Sequence, residues 1–124
     1  AVLTGTNAVE VLSAARLSKE QTRARNKETL LEIINSTELS DAQKQEAVDS
    51  MVHMTEIAEK EAAAEVLLQA KGFSEAVVSI NGDAVDVVVN AAELSDVQRA
   101  QIEDIVKRKT DIAAENIVIS TITQ

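Results

Sequence analysis

Few residues in this chain could do chemistry, and their spacing argues against most reactions. His53 is the single histidine and cysteine is absent, so neither a two-histidine metal site nor a thiolate site can be assembled. Set between Val52 and Met54 in a helical stretch, His53 reads as a structural or surface residue. Glu56, Glu59, Glu61 and Glu65 form the densest group of carboxylates, and paired carboxylates can serve as general acid and base. On a helix, however, Glu61 and Glu65 are an i,i+4 pair of like charges, and a solvated polar stripe is the expectation. Asn81-Gly82-Asp83 is too short for a calcium loop, whose ligands spread over about twelve residues. Three glycines in the whole chain leave no phosphate-cradling loop, and no Ser/His/Asp set is legible. No catalytic residue, metal or cofactor is expected.

Composition narrows the partners. The chain has 124 residues, 45% hydrophobic but only 1% aromatic, with Phe73 alone. That suits one domain whose core is built from Val, Ile, Leu, Ala and Met. A net charge of −9 disfavours nucleic acid and anionic membrane surfaces, which reward a basic face. The lack of cysteine decides nothing about compartment, and no apolar run approaches the ~18 residues of a membrane span. The acidity is uneven. Residues 1–35 carry five basic and four acidic side chains, so this arm is +1 and the remainder −10.

Asn7 is a candidate cap for a helix reaching Asn35, with apolar ends at Ala8, Leu12, Ala15, Leu30, Ile33 and Ile34. Between Ser18 and Thr29 the only apolar residue is Ala24, so the middle has no stripe to bury. It should be exposed, extended away from the domain, or held by a partner. We therefore divide the chain into a polar helix and linker, residues 1–38, and a domain, residues 39–124. The second helix, residues 40–71, opens with a Ser40/Gln43 capping box and has Asp41 at the positive end of its dipole. Val48, Met51, Val52, Thr55, Ala58, Ala62 and Val66 recur at helical spacing as its buried face. Gly72 supplies a left-handed stop, with Phe73 placed to touch Leu68.

Asn81-Gly82 between Val/Ile-rich runs is a strong hairpin signal. With those two residues as the turn, Ile80 faces Asp83, Val78 faces Val85 and Ala76 faces Val87. One sheet face then carries Ala76, Val78, Ile80, Val85, Val87 and Val89, and is the core. A one-residue slip would bring Asp86 inside, so the register is well specified. Ser95 and Gln98 cap a third helix, residues 96–110, buried through Ile102, Ile105 and Val106, with Lys107, Arg108 and Lys109 at its C-terminal end. The similarity of residues 38–43 to 93–98 reads as two like caps rather than an internal repeat. Ile117 to Ile122 is the last strand. The fold class is α+β: a long N-terminal helix, then an αββαβ module with two helices on one face of a three-stranded mixed sheet. The opposite face leaves Val77, Val88, Val118 and Ile122 among polar neighbours, beside edge strands. This element order is shared with nucleic-acid-binding KH modules, but the Gly-x-x-Gly clamp and a basic balance are both missing.

The run of helix, Gly72-Phe73, hairpin, capped helix and Ala113-Ala114-Glu115-Asn116-Ile117-Val118-Ile119 resembles the ring-building motif of type III secretion inner-ring lipoproteins. Across the entire chain, including residues 77–82 and 93–96, the sequence is similar to the stage III sporulation protein AH family. The resemblance implies an N-terminal membrane anchor ahead of Ala1, in the mother cell's outer forespore membrane. It implies a soluble domain between the two forespore membranes. It further implies a heterodimer with stage II sporulation protein Q, other stage III sporulation A proteins as partners, and a ring homo-oligomer or channel.

A docking protein of this kind would use strand addition at an exposed edge. The candidate residues are Val77, Val78, Ser79, Ile80 and Asn81 on one edge and Val118, Ser120 and Ile122 on the other, with Arg23 and Lys27 as a secondary contact. The alternative is a small regulatory or ligand-binding domain of a larger envelope enzyme.

Overall fold

The computed structural model describes residues 5–122, with side chains from residue 9 onward. Among these residues the chain forms α1 (Gly5–Asn35), α2 (Asp41–Ala70), β1 (Val77–Asn81), β2 (Ala84–Asn90), α3 (Asp96–Thr110) and β3 (Ile117–Ile122), the last preceded by one 3-10 turn at Ala114–Asn116. No helix among them is long and apolar enough to cross a membrane.

Local chemistry accounts for the boundaries. In α2 the Gln43 amide donates to Ser40 Oγ at 3.2 Å while the Ser40 amide donates to Gln43 Oε1 at 3.0 Å. Ser95 and Gln98 repeat this reciprocal pair at 3.1 and 2.9 Å ahead of α3. At the other end of α2, Gly72 takes φ +97°. The Phe73 amide reaches Leu68 O at 2.9 Å and the Gly72 amide reaches Gln69 O at 3.1 Å, the two bonds of a Schellman stop. Helix α3 ends differently, with Asp111 itself left-handed at φ +61°.

The sheet order is β1-β2-β3, with β1 antiparallel and β3 parallel to β2. The expected register needs a correction. Asn81 pairs with Ala84, Ile80 with Val85 and Val78 with Val87, so the two loop residues are Gly82 and Asp83. Gly82 has φ +61° and Asp83 is not left-handed, which is a glycine-first II′ turn rather than an Asn-Gly I′ turn. Moving the turn by one residue changes the pairing by two positions. Side chains alternate with period two, so every one keeps its expected face.

That face is the core. Ala76, Val78, Ile80, Val85, Val87 and Val89 are buried together with Ala64 and Leu68 of α2 and Ile102, Ile105 and Val106 of α3. Both helices therefore cover one side of the sheet, as expected. The buried face of α2 is not the expected one. Val52 and Val66 are 53% and 66% exposed, whereas Ala47, Glu61, Ala64 and Leu68 are buried. Apolar residues run most of the way round α2, so their spacing does not single out a face, and a glutamate occupies a buried position.

Candidate interaction site

The helix with no apolar stripe is not extended away from the domain. α1 lies against α2 and also touches β2. Leu12, 1% exposed, fixes its first turns, and its polar middle is held by charge. Arg16 Nη2 donates to Ala76 O at 2.8 Å and Lys19 Nζ to Val78 O at 2.8 Å. Arg23 forms a two-pronged pair with the Glu61 carboxylate, its Nη2 reaching Oε2 at 2.7 Å. Arg16, Lys19 and Arg23 lie three and four residues apart, so one helix face carries all three.

Two carboxylates of α2 complete the arrangement from the other side. The Val78 amide donates to Glu65 Oε2 at 2.8 Å and the Ile80 amide to Glu61 Oε2 at 2.7 Å. Lys19 Nζ also stands 3.4 Å from Glu61 and 3.8 Å from Glu65. Alternate residues of an edge strand turn their N–H and C=O groups outward. Of the outward groups, Ala76 O, Val78 N, Val78 O and Ile80 N each meet a side chain from α1 or α2. Together these side chains do what a neighbouring strand would do.

Glu61 is the centre of this seal and corrects the expectation of a solvated stripe. It is 2% exposed. Burial by itself would raise its pKa, but the Arg23 hydrogen bond, the Ile80 amide and the Lys19 charge outweigh that and hold it below the ordinary carboxylate value. Arg23 is raised in turn, chiefly by its bond to Glu61. The sequence does carry a signal for Glu61. Ile57, Glu61, Ala64 and Leu68 recur at four, three and four residues, so the carboxylate interrupts an apolar stripe opposite a basic one.

The candidate residues divide between two edges. Val78 and Ile80 point into the core and offer only backbone at the β1 edge. Val77 is 5% exposed on the other face, Ser79 is half-buried beside it, and Asn81 is exposed at the hairpin end. Arg23 is engaged with Glu61. Lys27 is exposed at the rim of a groove of about 560 Å³ between α1 and α2, floored by Ala24, Ala58, Ala62, Met51 and Met54. Val118 and Ser120 are exposed and Ile122 half-buried on the far strand, two strand spacings or about 10 Å from β1. Alternation carried from β1 through β2 leaves the backbone groups of Ile117, Ile119 and Thr121 on the outer side of β3. Among the described residues no side chain bonds to them. His53 is exposed, and no group of three or more His, Cys, Asp or Glu among the described residues could hold a metal ion.

The fold and its two unlike edges define a class: a small α+β scaffold whose chemistry is that of strand edges, one sealed by a helical hairpin and one that no side chain among the described residues holds. Residues 3–119 match the model of the SpoIIIAH-like protein family, and the chain belongs to that family. It is 28% identical over 108 residues to stage III sporulation protein AH of Bacillus subtilis (strain 168), a match covering 87% of this chain and 50% of the relative. The chain therefore spans about half the length of that curated relative. A chain in the structure of the SpoIIQ–SpoIIIAH pore-forming complex superposes with a TM-score of 0.82 at 24% identity, covering 92% of this chain and 98% of that one. This likeness supports the α+β architecture.

Proposed function

We propose that this chain is a non-catalytic docking component of a sporulation channel, binding SpoIIQ by adding a strand of its partner to the open edge of β3. The observation that carries the reading is the difference between the two edges. At β1 a fourth strand would have to displace the four charged side chains bonded to that edge, whereas at β3 it meets backbone that no side chain among the described residues holds, beside Val118 and Ser120. Family membership supplies the context, as does the likeness to a chain solved in the SpoIIQ–SpoIIIAH complex. In this reading residues 39–124 are the docking module and residues 1–38 its cover. Lys27, exposed and without an ion-pair partner among the described residues, is the secondary contact. The chain is held by an upstream anchor in the mother cell's outer forespore membrane, with this domain between the two forespore membranes. A heterodimer with SpoIIQ is the unit from which a ring, with other stage III sporulation A proteins, is built.

The test is the affinity of this domain for SpoIIQ of the same organism. Thr121→Pro removes one outward amide near the end of β3 and leaves the β2 side of the ladder intact. Losing that bond and the local fit should weaken the complex about 10-fold or more, with an unchanged circular dichroism spectrum. A folded variant with undiminished affinity would remove β3 as the docking edge. Failure of the unmodified domain to bind SpoIIQ would remove the whole reading.

A further inference from the structure

We propose that the sealed β1 edge is a second, latent strand acceptor whose partner is β1 of a second copy of this chain. The four outward groups now held by side chains are self-complementary. Place a two-fold axis at Val78 with the strands antiparallel: each Val78 amide meets the other copy's Val78 carbonyl, and each Ile80 amide meets the other copy's Ala76 carbonyl. All four groups observed bonded to Arg16, Lys19, Glu61 and Glu65 are then satisfied by backbone alone. Such an isologous pairing closes at two copies and joins two sheets into one of six strands, leaving β3 open at both ends.

The cover is built to be released. Its middle grips through ions, with Ala24 the only apolar residue between Ser18 and Thr29, so lifting that middle uncovers little apolar surface of α1, while the buried Leu12 keeps the first turns docked. The closed state also leaves the buried Arg16 Nε without a hydrogen-bond partner, an unmet donor that opening returns to water. Glu61 and Glu65, once free of the strand, can swing to solvent with the cations they pair.

The experiment removes the hooks in the full chain. R16A/K19A/R23A keeps α1 rich in helix-forming residues but frees Ala76 O and Val78 O. Sedimentation should show the mass doubling as concentration rises, where the unmodified chain stays monomeric. Because the chain lacks cysteine, Ser79→Cys gives a single nitroxide site on β1. Labels there should broaden each other only if the two β1 strands lie side by side. A second variant, K19A/E65A, touches only side chains that are 18% exposed, keeps the Arg23–Glu61 pair, and clears both groups of Val78. It should dimerise at higher concentration and decides the matter should the triple variant unfold. A folded, monomeric K19A/E65A at every concentration overturns the proposal, as does a dimer whose labels remain sharp. Neither result bears on the β3 reading, which Thr121→Pro tests alone.

Discussion

Replacing Glu61 with alanine should cost this small domain a large part of its stability. The carboxylate side chain is 3% exposed. It accepts both terminal nitrogens of Arg23, takes the Ile80 amide at 2.7 Å and has the Lys19 ammonium 3.4 Å away. Removing one member of a buried ion pair costs about 3–5 kcal/mol. The Arg23 side chain is 27% exposed and can turn to water, so the low end applies, about 3 kcal/mol. For a domain of this size that lowers the melting temperature by roughly 10 °C. With no tryptophan or tyrosine, urea unfolding has to be followed by far-ultraviolet circular dichroism. The pH dependence has a definite sign. Glu61 has a folded pKa below its ordinary value of 4.5, so its contribution is complete above that value and is lost as pH falls through the lower, folded one. The unmodified protein should therefore weaken below about pH 4.5 more steeply than Glu61→Gln. A loss under about 1 kcal/mol, typical of exposed pairs, would refute the sealed-edge account. So would a double-mutant cycle with Arg23→Ala that shows no coupling.

Other consequences follow from the same structure. Leu12→Ala, at a residue 1% exposed, should cost about 3 kcal/mol in urea unfolding and loosen the start of α1. A Gly72→Ala substitution forces a side chain into φ +97° although nothing lies within 4 Å of the new Cβ. It should lose about 1–2 kcal/mol through backbone strain alone, measurable as a fall in melting temperature. Val52→Lys on the 53% exposed face of α2 should be nearly neutral, within about 0.5 kcal/mol. A large loss there would restore the α2 face that its periodicity suggested.

What was legible in the sequence follows from how local each cause is. Both capping boxes and the Gly72-Phe73 stop involve residues a few positions apart, and each stands where its residues place it. The hairpin shows how an error can be harmless. The turn is Gly82-Asp83 and not Asn81-Gly82, yet Asp86 stays outside because the register moves by an even number. Face assignment is thus more robust than register. On α2, hydrophobicity alone misplaced the core because Met51, Val52 and Val66 share one apolar face while Ile57, Ala64 and Leu68 make a second, and the decisive residue is a charge. A buried Glu61 has meaning only beside Arg23, thirty-eight positions away, and nothing local announces that pairing.

The polar middle of α1 is the clearest case of a non-local cause. Without apolar residues, a helix has no hydrophobic reason to dock, and the stripe rule sends it into solvent. A strand edge changes the accounting, because it offers a row of unpaired donors and acceptors that water would otherwise serve. Cations three residues apart on α1, Arg16 and Lys19, meet the carbonyls, and carboxylates spaced one turn apart on α2 meet the amides two residues apart along β1. Two alternating rows of opposite charge therefore match the alternation of the edge itself. That match explains why the like charges Glu61 and Glu65 are tolerated as i,i+4 neighbours: each has a different backbone amide to accept, and Lys19 stands between them. A charge run on a helix that faces a sheet edge is thus better read against the strand than against the helix that bears it.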